Sequence, residues 1–135
     1  MLSYITIGAN DVSRSEQFYS AVLTPLGYTK AEEEDGVAYT LPDMPEGSNG
    51  PVAVYVKKPY DGRAATVGNG SMFAFRVPSR AQVQSLHSAG IAAGGTDEGA
   101  PGFRAQCSKN FFVGYLRDPL GNKLALFCTA TDQTA

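Results

Sequence analysis

The second half of this chain repeats the first at low identity, at an offset of 68 residues. When Tyr4 is laid on Met72, Ile5 and Ile7 fall on Phe73 and Phe75; further on, Asp11 meets Ser79, Ser15 meets Val83, Phe18 meets Leu86, Tyr19 meets His87 and Gly27 meets Gly95. Each copy reads as a strand followed by a helix and then by further strand-like runs, Val37–Leu41 and Val52–Val56 in the first and Phe111–Leu116 and Lys123–Cys128 in the second. The repeat predicts an α+β fold of two tandem βαβββ modules forming a curved mixed sheet with the helices on its convex side. A unit that cannot close its own core buries it against its twin, and the cleft between twins is where such folds place a ligand.

A chain of 135 residues fits one domain, with module one at about 1–58 and module two at about 70–130. The apolar fraction of 43% and charged fraction of 18% are those of an ordinary globular protein. Thirteen acidic and eleven basic residues are scattered along the chain, and no basic stripe of the kind that neutralises phosphates is present, so nucleic acid is not an expected partner. No apolar run approaches a bilayer span and Leu2–Ile7 is too short and polar for a signal peptide, which predicts a cytoplasmic protein without a membrane partner. Cys107 and Cys128 have no CxxC spacing and are expected as free thiols.

Tyr4–Ala9 alternates as a strand, Asn10 and Asp11 offer helix caps, and Phe18, Ala21, Val22 and Leu23 give the helix from about Ser13 one buried face before Pro25–Gly27 stops it. The acidic run within Ala31–Asp35 reads as a solvated hairpin tip. Leu41–Pro51 and Pro59–Gly70, rich in Gly, Pro and Ser, read as a loop and an inter-module linker, both candidates for mobile segments. In the second module Met72–Val77 is a strand, Ser79 an N-cap, and Ala81–Ala89 a helix stopped by Gly90. Gly94–Gly102 with Phe103 and Arg104 reads as a long glycine-rich lid, and Asp118–Asn122 as the turn of an antiparallel hairpin.

Tyr4–Tyr19, the following Pro25-Leu26-Gly27-Tyr28 and the Arg117–Leu124 hairpin together resemble the glyoxalase I, bleomycin-resistance and extradiol-dioxygenase group, the vicinal oxygen chelate superfamily. The resemblance covers nearly the whole chain and implies the glyoxalase-like fold, a small-molecule ligand and a homodimer that covers exposed sheet edges. Members with metal chemistry hold a divalent ion on the concave face at equivalent places in the two modules. Here the resemblance places Tyr4 and Met72 where His is typical, Ala125 where Glu is expected, and either Val54 or Tyr55 at its module-one counterpart. Phenol, thioether and methyl groups do not replace imidazole and carboxylate donors, so no metal and no other cofactor is expected. The resemblance leaves three functions open. The first is a metal-independent protein that either sequesters an oxygenated ligand or catalyses isomerase- or lyase-type chemistry. The others are a metal-dependent enzyme like lactoylglutathione lyase or an extradiol dioxygenase, and an accessory protein with a vestigial cleft.

Period-two alternation then reads out the cleft. If Phe73, Phe75 and Val77 face the helix, Met72, Ala74 and Arg76 face the cleft, as do Tyr4 and Thr6 by repeat. With Leu116 in the core, Val113, Tyr115 and Arg117 point into the cleft, joined by Ala125 and Phe127. The predicted ligand contacts are therefore Tyr4, Thr6, Met72, Arg76, Tyr115, Ala125 and Phe127, an apolar lining with phenol, hydroxyl and guanidinium tips. His87, aligned with helical Tyr19, is read as structural and not as a general base, Cys107 as inert and Cys128 as core.

Overall fold

The computed structural model describes residues 2–41, 53–104 and 106–129. Module one comprises β1 (Tyr4–Gly8), α1 (Val12–Leu23), β2 (Thr29–Glu33), β3 (Gly36–Thr40) and β4 (Ala53–Lys57). Module two comprises β5 (Phe73–Arg76), α2 (Arg80–Ala92), β6 (Thr96–Phe103), β7 (Phe112–Arg117) and β8 (Lys123–Cys128). Each module forms a four-stranded mixed sheet of the same order, β1-β4-β3-β2 and β5-β8-β7-β6, with the first and last strands of each module parallel. This is the α+β glyoxalase-like arrangement of tandem modules. Among the described residues β1 and β5 are not hydrogen-bonded to each other.

The repeat holds at the level of caps. Asp11 accepts a hydrogen bond from Arg14 N at 3.2 Å and Ser79, its repeat mate, accepts one from Gln82 N at 3.1 Å, each satisfying one otherwise orphaned donor of the first turn. α1 passes into a 3-10 turn, Thr24–Leu26, closed by Gly27 at φ +100°. In module two the left-handed residue is Gly94, one place earlier than the repeat register gives.

One core holds both modules together. Ile7, Val54 and Val56 from the first sheet, Phe18, Val22 and Leu86 from the helices, and Leu116, Leu124 and Leu126 from the second sheet form a single buried cluster. Polar links cross the same boundary. Tyr19 donates to Asp118 Oδ2 at 2.7 Å, and Asn122 Nδ2 donates to the carbonyl of Gly8 at 3.0 Å. Asp118 also collects the N–H groups of Leu120, Gly121 and Asn122, each at 2.9 Å, so this carboxylate shapes the hairpin turn while receiving the first helix.

Four expectations are corrected. The acidic run begins inside β2, an edge strand exposed along its length, and only Glu34 and Asp35 form the turn; charged residues on an edge discourage pairing with another chain. Gly90 does not stop the second helix, which runs on to Ala92. A Cβ at Gly90 would lie 2.8 Å from Leu116 Cδ1, so the glycine serves close packing instead. The glycine-rich segment is not a lid: Thr96–Phe103 pairs antiparallel with β7, with register shifts around Gly99. Its glycines and proline fit an edge strand pressed on neighbours, since a Cβ at Gly99 would meet the Tyr115 ring at 2.9 Å and Pro101 lies over Gly114. The linker is tethered, because the Asn10 side chain both accepts from Ala65 N at 2.7 Å and donates to Ala65 O at 3.3 Å. The loop expected at 41–51 lies, beyond Leu41, outside the described residues. Among the described residues no helix is long and apolar enough to cross a membrane.

Candidate functional site

Each sheet turns one face to the helices and leaves the other outward. On the first sheet Ile7, Val54 and Val56 are buried, whereas Tyr4 and Thr6 are exposed on the opposite face. Tyr4 meets Tyr55 edge to face, with ring centroids 5.4 Å apart. On the second sheet Ala74, Ala125 and Tyr115 form one cross-strand row and Arg76, Phe127 and Val113 the next. The Arg76 guanidinium lies 4.8 Å above the Phe127 ring, and its Nη1 donates to Thr129 Oγ1 at 2.7 Å. Lys123 Nζ sits 5.1 Å from the centre of the Tyr115 ring, with Arg104 5.8 Å from it. Ala125 and Val113 in these rows are buried, while Met72 is 43% exposed beside β5.

The seven predicted contact residues therefore divide between two sheets. Met72, Arg76, Tyr115, Ala125 and Phe127 share the second, and Tyr4 and Thr6 occupy the first. Among the described residues no strand pairing joins these two faces into one sheet. Sequence reasoning passed over Tyr55 and Lys123 as contact residues, although Tyr55 follows from the same alternation.

The pairing register also decides which residue matches Ala125. Ala125 sits opposite Ala74, whose repeat mate Thr6 sits opposite Tyr55, so the fourth position is Tyr55 and not Val54. The positions that the resemblance aligns with the superfamily's metal donors are thus Tyr4, Tyr55, Met72 and Ala125. Two phenols, a thioether and a methyl group do not fit a divalent ion that needs imidazole or carboxylate donors. No group of three or more His, Cys, Asp or Glu side chains gathers among the described residues.

The other candidates are structural in geometry. His87 Nε2 lies 3.1 Å from both Asp97 Oδ1 and Tyr115 O; both are acceptors, so Nε2 carries the hydrogen and ties α2 to β6 and β7. Tyr19, its repeat mate, makes the equivalent link to Asp118, and burial, followed by the Asp118 charge, pushes its phenol pKa up. Cys107 is exposed and Cys128 buried in the core.

A cavity of about 430 Å³ opens on the inward side of the first sheet, where Ile5 and Val54 face Leu26 and Tyr28 across from the free edge of β5. Met72, Ala74 and Arg76 reach it from β5. Nothing in the sequence pattern marked Leu26 or Tyr28 for this role, because they come from the irregular segment after α1.

The repeated βαβββ modules, each with its first and last strands parallel and both fused through one core, define a glyoxalase-like protein. The whole chain is similar to a glyoxalase/bleomycin resistance protein from Albidiferax ferrireducens, at 35% identity over 96% of this chain and 99% of that one, with a TM-score of 0.82. It belongs to the glyoxalase/bleomycin resistance family. More distant structures share the fold: a glyoxalase/bleomycin resistance protein/dioxygenase family enzyme from Burkholderia phytofirmans (18% identity, 95% of this chain and 98% of that one, TM-score 0.71), and a lactoylglutathione lyase from Agrobacterium tumefaciens (18%, 95% and 92%, TM-score 0.63). Neither a family model nor a curated protein matches the chain.

Proposed function

We propose that this family member binds an oxygenated, partly apolar small molecule in the cytosol without a divalent metal, whether to sequester it or to convert it. What supports this reading is the quartet Tyr4, Tyr55, Met72 and Ala125, which the resemblance and the pairing register align with the positions where metal-dependent members place their donors. In its stead the outward faces offer phenols at Tyr4, Tyr55 and Tyr115 and cations at Arg76 and Lys123, groups that hydrogen-bond to or neutralise ligand oxygens. Thr6, Met72, Ala125 and Phe127 complete the proposed contact set. Among the described residues, β1 and β5 carry no strand along their outer edges, which favours a homodimer in which a second copy covers them and brings the Tyr4 face of one chain against the Arg76 face of the other.

Native mass spectrometry of freshly purified protein, paired with elemental analysis, tests both parts. The expected result is a dimer with no stoichiometric Ni, Zn, Fe or Mn. One tightly held metal per chain, with binding or activity lost on chelation, would reject the metal-independent reading; a single-chain mass at micromolar concentration would reject the shared face.

A further inference from the structure

We infer that the ligand of the outward face is a flat organic carboxylate and that Arg104 is the residue that selects it, with Lys123 and Arg76 as flanking cations. The inference rests on the proposed reading of the outward faces as the ligand site, and it names the charge class of what binds there. Its first support is the way the chain divides its charge. Residues 1–58 hold four Lys and Arg against eight Asp and Glu, whereas residues 72–129 hold six against three, although the whole chain has a net charge of −2. The three acidic residues of the second module are all engaged: Asp97 with His87, Asp118 with Tyr19 and its own turn, and Glu98 with Arg117 at 3.2 Å. Among the described residues no carboxylate pairs with Arg76, Arg104 or Lys123. Uncompensated cations on one face make a field that attracts an anion and repels a cation.

Local packing holds Arg104 on that face. Gly99 and Gly102 sit opposite Tyr115 and Val113, whose side chains point away from the helices, while a Cβ at the intervening Gly114 would meet His87 of α2. A Cβ at Gly102 would lie 3.0 Å from Arg104 Nη1 and one at Gly99 3.6 Å from its Nη2, so the guanidinium occupies the space that the two glycines leave. It rests 5.8 Å from the centre of the Tyr115 ring, and Lys123 Nζ lies 5.1 Å from the same centre. Nη1 donates to the carbonyl of Phe103 at 3.3 Å and Nη2 to that of Ala100 at 2.9 Å. These bonds fix the guanidinium without neutralising it, and its remaining N–H donors are available to a planar anion. Phe127, with Arg76 4.8 Å above its ring, offers an aromatic surface for the body of the ligand. In the proposed dimer the opposite face adds the hydroxyls of Tyr4, Thr6 and Tyr55, which also donate to carboxylate oxygens. A neutral amide of the same shape would leave the cations unpaired, and an ammonium would place like charges together.

Cinnamate, cinnamamide and cinnamylammonium share one flat apolar body and differ in charge, and NMR titration of the intact protein separates where each binds from how tightly. Cinnamate should shift the amides of Tyr115 and Ala125 and bind about tenfold more tightly than cinnamamide, with cinnamylammonium not binding. Raising the salt concentration should weaken cinnamate and leave cinnamamide unchanged. Arg104→Gln should weaken cinnamate about tenfold without affecting cinnamamide, and Arg104→Lys, which keeps the charge but not the planar fork, should restore only part of the affinity. Lys30→Gln, which removes one charge from module one, should change neither. Equal affinity for cinnamate and cinnamamide at those amides, or a cinnamate affinity that Arg104→Gln leaves intact, would overturn the inference while the outward face stood as a ligand site. No binding of any probe would also overturn it; binding whose shifts fall only on other surfaces would overturn the outward-site reading with it. Dissociation into single chains in Arg104→Gln, without discrimination among the probes, would assign the cations to a second copy and reject the inference. Charge and salt dependence in the wild type need no variant, so the inference stays testable should Arg104→Gln fold poorly.

Discussion

At the scale of single residues, a few buried polar groups carry the junction between modules. Tyr19 is fully buried, and its phenol's one hydrogen bond among the described residues goes to Asp118, itself 2% exposed. Tyr19→Phe removes that donor and leaves Asp118 its backbone partners, which predicts a loss of about 1–3 kcal/mol in urea unfolding. The same phenol sets an alkaline limit. Its folded pKa is raised above the unfolded value, so its contribution is complete below about pH 10 and is lost as pH rises through the folded pKa. Stability of the wild type should fall more steeply above that pH than stability of Tyr19→Phe; parallel curves would show that Tyr19 does not control alkaline unfolding. Gly95 makes a different kind of demand. A Cβ there would collide with the Phe18 ring and lie 2.9 Å from Gly90 O and 3.0 Å from Arg117 O, backbone atoms that cannot swing aside. Gly95→Ala is therefore expected to destabilise by about 1–3 kcal/mol, and a melting temperature equal to wild type would refute the contact.

At the scale of elements, strand alternation was legible, and the existence of the two edge strands β2 and β6 was not. Ile5 and Ile7, Phe73 and Phe75, and Leu124 and Leu126 declare their buried face by period two, and the pairing registers follow that pattern. β6 hides because Gly99, Pro101 and Gly102 are chosen for what presses on them, namely Tyr115, Gly114 and Arg104, and not for strand propensity. β2 hides because its exposed faces carry charge in place of alternation. Tyr28 and Leu26 left no periodic signal at all, since their position depends on where the chain emerges after α1. The edge position of β6 makes His87 its fastener: Nε2 reaches Asp97 on β6 and Tyr115 O on β7 together. His87→Ala should lower the melting temperature and accelerate hydrogen exchange at the β6 amides while β8 stays protected. Uniform acceleration across both sheets would instead assign His87 to the global core.

At the scale of the molecule, the repeat foretold two modules but not how they depend on one another. Each sheet is a complete four-stranded unit by its hydrogen bonds, which by itself would allow independent folding. The packing removes that option. Phe18 and Val22 of module one press on Gly90 and Leu116 of module two, and the Tyr19–Asp118 and Asn122–Gly8 bonds cross the same boundary; separation would expose apolar surface and strand buried polar groups at once. Such coupling favours a single cooperative transition over stepwise loss of halves. Calorimetry should give one endotherm whose calorimetric and van't Hoff enthalpies agree per cooperative unit. Halves divided within the Pro59–Gly70 linker should each lack fixed tertiary structure alone and regain it when mixed, because the missing core face is supplied in trans. A module-two fragment that melts cooperatively by itself would show that the shared core is dispensable, and would recast the pair as two domains joined by a linker.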